Sequence, residues 1–153
     1  MTQGVLTLSS LNRSLLADSC SLINYVDPSR QGSNGRVRQL ATLVLQQIVI
    51  IPESVSRELR VSDDNLSAWL RKNRSVALRE TSENTKFFQM IALKYRDLIG
   101  ESTRAADPMV LALALYYKKY GVLTDDDGLA AACFAEQIQC IRVAAFKKLE
   151  GLS

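Results

Sequence analysis

Whatever chemistry this 153-residue chain performs must come from groups other than imidazole, because it contains no histidine. Imidazole is the usual general base near neutral pH and the commonest transition-metal ligand. Its absence excludes Ser-His-Asp and Cys-His catalysis, the H-E-x-x-H zinc motif and paired-histidine ribonuclease chemistry. Carboxylates, lysines, hydroxyls or a hard cation held by oxygen remain. Among the acids, Asp18, Glu58, Asp107 and the run Asp125, Asp126 and Asp127 stand out. Several carboxylates around one cleft are what Mg²⁺ or Mn²⁺ requires, and such ions suit phosphodiester hydrolysis by activating water and stabilising a leaving oxygen. Packed carboxylates repel one another, so a cation would also offset that cost and lower their pKa values. Each acid has a structural reading too. Asp18 would cap a following helix, Glu58 would be an exposed neighbour of Arg57 and Arg60, Asp107 would be an N-cap, and the Asp run would cap a helix near Gly128.

The elements that must position these acids follow from apolar patterning. Leu15-Leu16-Ala17 reads as a short buried strand ending at Asp18, with a brief helix over Ser19 to Tyr25. A loop is marked by Asp27-Pro28 and Gly32-Ser33-Asn34-Gly35, after which Val37, Leu40, Ala41, Val44, Leu45 and Ile48 recur at helical spacing from Arg36 to Gln47. Ile48 to Ile51 is a β-branched apolar run expected as a strand buried on both faces. Pro52 is expected at the first position of a helix whose core face is Val55 and Leu59, with Glu58 beside it. Two more helices, Asp63 to Asn73 and Asn84 to Ile99, flank Val76-Ala77-Leu78, a candidate strand. Asp107-Pro108 reads as cap and first turn of an apolar helix running to Tyr120, ended by Gly121. Val122-Leu123-Thr124 is a strand leading into Asp125 and Asp126, an Ala-rich helix covers Asp127 to Gln137, and the strand Gln139 to Val143 precedes a closing helix, Ala144 to Leu149.

Strands alternating with helices imply βαβ units and a mostly parallel sheet covered on both faces, in one α/β domain over residues 14–150 after an N-terminal extension, 1–13. Ligands of such sheets bind outside the carboxyl ends of the strands, so Asp18 and Asp125–Asp126 converge if their strands are neighbours. The three cysteines, Cys20, Cys133 and Cys140, are odd in number and lack C-x-x-C spacing, which fits buried small residues in a reducing cytoplasm. The longest uncharged apolar stretch, Met109 to Tyr117, is about half of the ~18 residues a membrane span needs. Net charge is +3. Twelve of the 19 basic residues lie between Arg36 and Arg104, including the cluster Arg71, Lys72, Arg74 and Arg79, which fits either a solvated helix face or a nucleic-acid contact.

The order and spacing of the acidic segments resemble the PIN-domain nucleases from Ser14 to Leu149. LLADSCSLIN resembles the family's first motif, with Asp18 and Ser19; IPESVSREL resembles the second, with Glu58; RAADPMVLALAL places Asp107 at the third acid; and VLTDDDGLAAACFAEQIQCI resembles the closing T-x-D motif, with Thr124 and Asp126. Two positions depart from the pattern. Ser19-Cys20 replaces the usual Thr-Asn, leaving Ser21 or Asn24 to support the first acid, and Asp125 stands where relatives often carry Asn.

The resemblance implies a three-layer α/β/α PIN-like fold with a mostly parallel sheet of four to five strands. It implies a Mg²⁺- or Mn²⁺-dependent endoribonuclease cleaving single-stranded RNA. Asp18, Asp107 and Asp126 would hold the metal, Glu58 would bind a second ion or position water, and Ser19, Thr124 and Asp125 would support them, with Asp127 as helix cap. Compact PIN proteins resemble VapC-type toxins, which implies an antitoxin partner and a homodimer. Arg36, Arg38, Arg71, Lys72 and Arg74 are the candidate RNA-binding residues, since backbone binding is largely electrostatic. Other readings of the same residues are a housekeeping RNA-processing nuclease, a receiver-like or phosphohydrolase domain using one strand-end Asp, and a PIN-like binding module without catalysis.

Overall fold

The computed structural model describes residues 11, 13–84, 86–99 and 106–152. Leu15, Leu16 and Ala17 form β1, fully buried, and the helix α1 (Ser19–Val26) follows immediately. Three consecutive buried apolar residues make this the centre of the sheet. Strand order is β2-β1-β3-β4 and every pairing is parallel, with β2 at Val49–Ile50, β3 at Gly121–Leu123 and β4 at Cys140–Ile141. Helices flank this four-stranded sheet in the expected three-layer α/β/α arrangement. Burying Leu16 alone is worth about 2 kcal/mol.

β2 is an edge strand confined to Val49–Ile50, so the expected strand over Ile48 to Ile51 loses both ends, and of its residues Val49 and Ile51 are buried whereas Ile48 and Ile50 are half-buried. The expected strand at Val76–Leu78 reduces to one parallel bridge between Leu78 and Pro52, after a single 3₁₀ turn at Arg74–Val76. Val76 N and Ala77 N are spent inside that turn, donating to Asn73 O and Arg74 O, so only Leu78 pairs across, its N–H donating to Ile51 O at 2.8 Å and its carbonyl accepting from Glu53 N at 3.0 Å.

The helix α2 (Ser33–Leu45) begins inside the stretch expected to be loop, because Gly32 enters it with φ +91°, a conformation open to glycine. α3 (Glu53–Leu59) starts one residue after Pro52, which is its N-cap rather than its first helical residue, and it buries Val55 and Leu59 as expected. α4 (Asn65–Lys72) is capped by Asp64, whose carboxylate accepts from Ser67 N at 2.8 Å. The long helix expected over Asn84 to Ile99 is instead two short ones, α5 (Phe88–Lys94) and α6 (Arg96–Ile99), interrupted at Tyr95. α7 (Ala106–Tyr117) already contains Asp107 in its first turn, so Asp107 is not its cap. Lys118, with φ +61°, turns the chain out of α7, and Gly121 belongs to β3 rather than to the helix end. α8 (Asp127–Ala135) and α9 (Val143–Leu152) complete the order.

α7 packs on β1, β3 and α3, while α1 packs on α2, α3 and α9. The core is continuous and includes Leu15, Leu16, Leu22, Val110, Leu111, Val122, Leu129 and Phe146. Gly128 allows α8 to approach α6: a Cβ there would lie 1.8 Å from the Leu98 carbonyl oxygen. Of the expected N-terminal extension, residues 1–10 and 12 lie outside the described residues. Leu11 packs against the core and the Arg13 guanidinium donates to Lys118 O at 2.9 Å. Among the described residues no helix is long and apolar enough to cross a membrane.

Candidate functional site

β1 and β3 are adjacent and in register, Ala17 opposite Leu123, so the residues that leave them meet at their carboxyl ends. Asp18 is fully buried there, and its backbone N–H donates to Leu123 O at 3.3 Å. One carboxylate oxygen, Oδ1, accepts from Ser21 N at 2.8 Å, making Asp18 the N-cap of α1. The other, Oδ2, accepts a hydrogen bond from the hydroxyl of Thr124, which is also fully buried. Thr124 Oγ1 in turn accepts from Asp126 N at 3.0 Å. Asp18, Thr124 and Asp126 thus form one hydrogen-bonded chain across the two central strands.

Burial is the main force on Asp18: desolvation raises its pKa above the ordinary carboxylate value, and the negative charge of Asp126 adds to the rise. Hydrogen bonds from Thr124 and Ser21 act the other way and stabilise the anion. A buried carboxylate facing a second acid is the kind of environment a bound cation would relieve.

Ser19 extends the network sideways. Its hydroxyl donates to Glu58 Oε1 at 2.7 Å, tying α3 to the start of α1 and bringing Glu58 beside the strand ends. Asp107 is buried at 6% exposure in the first turn of α7, the helix packed on β1 and α3. Every acid of the sequence-derived set therefore lies on an element that borders the carboxyl end of the sheet or packs on one that does.

The three late aspartates divide their roles differently from the sequence expectation. Asp126, not Asp127, caps α8, its Oδ1 accepting from Leu129 N at 2.8 Å. Asp127 is exposed and pairs with Arg142 at 2.8 Å. The reason is geometric: Asp126 has the extended backbone of a cap, whereas Asp127 is the first helical residue and its side chain points outward. Asp125 is committed on both oxygens, Oδ1 accepting from Val143 N at 2.9 Å and Oδ2 from the Asn24 amide at 2.7 Å, while Arg142 donates to its carbonyl at 2.7 Å. It secures α9 and α1 to the loop after β3.

Of the two residues expected to support Asp18, Ser21 does so through its backbone and Asn24 does not, serving Asp125 instead. Arg142 was not legible as part of this loop, the only signal being a cation directly after the last strand. Cys133 is buried, Cys20 and Cys140 are half-buried, and all three are free thiols.

The basic residues separate into two groups. Arg36 stacks over the Tyr25 ring at 4.4 Å and its Nε donates to Tyr25 O at 3.3 Å, placing it at the far end of α1 from Asp18. Arg38 is exposed on α2. Arg71 is occupied by the carbonyls of Arg60 and Ser62, each at 2.7 Å, so it closes the α3–α4 loop rather than standing free. Lys72 and Arg74 are exposed on and just after α4, which packs on α2 and α3.

The donor set is oxygen-only, carboxylates and hydroxyls with no imidazole or thiolate, and that chemistry suits a hard divalent cation. Among the described residues no three acids, cysteines or histidines are gathered as a finished metal cage. The fit is therefore one of donor chemistry and electrostatics, centred on Asp18 and Asp126.

Among curated proteins no sequence matches the chain. Residues 37–148 match the family described as Domain of unknown function (DUF4411), a span that holds Glu58, Asp107, Thr124 and Asp126 together with β2, β3 and β4, while β1 and Asp18 precede it. That span is most of the chain, and the protein belongs to this family.

Proposed function

We propose that the protein is a Mg²⁺- or Mn²⁺-dependent endoribonuclease acting on single-stranded RNA. The observation that carries the reading is the Asp18–Thr124–Asp126 chain at the carboxyl ends of adjacent central strands, with Glu58 tied in through Ser19. The motif resemblance to PIN-domain nucleases supports it from the sequence side. A divalent ion held there would supply Lewis-acid stabilisation of phosphate oxygens and a water of lowered pKa. Asp18 and Asp126 would hold it, with Asp107 contributing from α7.

The chain's own residues prepare the site. Thr124 fixes the Asp18 carboxylate against rotation, and burial keeps it from bulk water. Ser19 aims Glu58 towards the strand ends, where it would accept a proton from an attacking water. The cap bond from Leu129 N engages only Oδ1 of Asp126, and the charge of Asp126 is felt at Asp18. An in-line attack on a phosphodiester needs little covalent participation from the protein, so positioning and charge are the main contributions.

Within this reading the chain acts as the toxin of a type II toxin–antitoxin pair, with a cognate antitoxin and a homodimeric state as implied partners; a housekeeping RNA-processing role uses the same chemistry. One observation favours a second class. Asp18, Asp125 and Asp126 each make a helix-capping or loop-closing bond, which is all a non-catalytic binding module would ask of them.

The test is cleavage of labelled single-stranded and structured RNAs by purified protein with Mg²⁺ or Mn²⁺, beside EDTA and Asp18→Asn controls. Cleavage lost in both controls supports the nuclease. Cleavage that survives either control, or no cleavage in a protein that also binds no Mn²⁺, overturns it.

A further inference from the structure

A second, basic pocket lies at the other end of α1 from the acids. It encloses about 240 Å³ between the end of α1, the turn that follows and the start of α2, and Arg30, Arg36 and Lys147 line it together with Tyr25, Gly32 and Ser33. Arg36 is held in place from several sides: it stacks on Tyr25, donates to Tyr25 O and Gln39, and lies 3.9 Å from Glu150. Glu150 is itself nearly buried, and its Oε2 accepts from the Tyr25 hydroxyl at 2.6 Å. Lys147 Nζ lies 5.9 Å from the same ring and donates to Asn24 O at 3.3 Å. Arg30 is highly exposed, its one ion pair being with Asp27 at 3.2 Å. Three cations thus face two acids, and one of those acids, Glu150, serves to fix Arg36.

The pocket is coupled to the acid loop through Asn24 on α1 and through α9, whose first residue, Val143, donates its N–H to Asp125 Oδ1 at 2.9 Å and which carries Lys147. Asn24 donates its amide to Asp125 Oδ2 at 2.7 Å and offers its carbonyl to Lys147. From Ser19 to Tyr25 the helix rises about 9 Å, so the pocket and the acids lie at opposite ends of α1.

We propose that the Arg30–Arg36–Lys147 pocket binds a backbone phosphate of a single-stranded nucleic acid and so sets the strand's position relative to the acids. The proposal rests on the ribonuclease reading for the purpose of the site, while its binding test does not depend on cleavage. The pocket takes the phosphodiester and ignores the base, so the contact is tolerant of sequence. It also distinguishes between the cations of the chain: the α1–α2 side guides the strand and the Lys72–Arg74 side does not.

The experiment measures the binding of a fluorescein-labelled oligouridylate to the Asp18→Asn protein in EDTA, as a function of salt, by fluorescence anisotropy. Arg30→Ala with Lys147→Ala, at an exposed and a half-buried position, is expected to weaken binding and to flatten the slope of log K against log salt by about 0.7, the value for one phosphate contact on a single strand. Lys72→Ala with Arg74→Ala is expected to leave the slope unchanged. An unchanged slope in the first pair, or a loss confined to the second, overturns the proposal. Titration with inorganic phosphate provides a further arm. Phosphate that binds wild type and the Arg30/Lys147 pair differently while the oligonucleotide binds them alike marks a free-phosphate site and also overturns it. A flattened slope with neither RNA cleavage nor Mn²⁺ binding by wild type supports the pocket and overturns the nuclease reading alone, whereas cleavage with an unflattened slope does the reverse.

Discussion

Replacing Thr124 by valine tests the local physics of the site most sharply. Valine keeps the shape of a fully buried side chain and removes only its hydroxyl. That hydroxyl donates to Asp18 Oδ2 and accepts from Asp126 N. A hydrogen bond to a charged group contributes about 1.5–3 kcal/mol, and the lost acceptor for a part-buried N–H adds about 1 kcal/mol. Thr124→Val is therefore expected to cost about 3 kcal/mol at neutral pH, a fall in Tm of roughly 6–12 °C for a chain of this size. Thr124→Ser keeps both bonds and is expected to lose about 1 kcal/mol for its missing methyl.

The pH dependence has a definite sign. Burial already raises the Asp18 pKa and the Thr124 bond lowers it, so removing that bond raises it further. A carboxyl with a raised folded pKa weakens the fold when ionised, and the penalty disappears as pH falls through that pKa. The gap in Tm between wild type and Thr124→Val should be widest near neutral pH and shrink on acidification towards the ordinary carboxylate range. Differential scanning calorimetry across that range provides the assay. A Thr124→Val protein as stable as wild type, or a gap that widens in acid, would refute the reasoning.

The other predictions concern neighbouring residues. Asp126→Asn keeps a good N-cap for α8 and should leave stability within ~0.5 kcal/mol of wild type while abolishing RNA cleavage, whereas Asp126→Ala should also cost about 1 kcal/mol in urea melts. Asp125→Ala removes the bonds to Val143 N and Asn24 and should cost about 1–2 kcal/mol, with the same melts showing any smaller loss. Gly128→Ala forces a Cβ against the Leu98 backbone, which cannot yield as a side chain could, and should destabilise by more than ~3 kcal/mol. A soluble Gly128→Ala protein with an unaltered melt would contradict that packing.

Much of the framework was legible because buried strands and strong caps announce themselves. Leu15-Leu16-Ala17 and Val122-Leu123 are short apolar runs ending in acids, and both strands lie side by side as the convergence of Asp18 with Asp126 requires. The misreadings came where competing local signals were nearly balanced. Asp126 and Asp127 are equally good caps by type, and only the backbone conformation at position 126 decides between them. Gly32 and Gly35 look like loop residues, yet Gly32 supplies the left-handed entry to α2. The pattern from Asn84 to Ile99 is apolar enough for one helix, but Tyr95 closes α5 and its hydroxyl bonds Glu136 across to the end of α8. Partnerships such as Asn24 with Asp125 or Arg142 with Asp127 span long stretches of chain and leave no mark in spacing.

The central claim is that carboxylates at the ends of two adjacent strands hold a hard cation. Its most direct measurement is a calorimetric titration of Mn²⁺ into wild type and Asp18→Asn, with thermal melts of both to establish that each is folded. The account predicts binding to wild type that is lost in the variant. No Mn²⁺ binding by the folded wild type, or equal binding by folded Asp18→Asn, would contradict it.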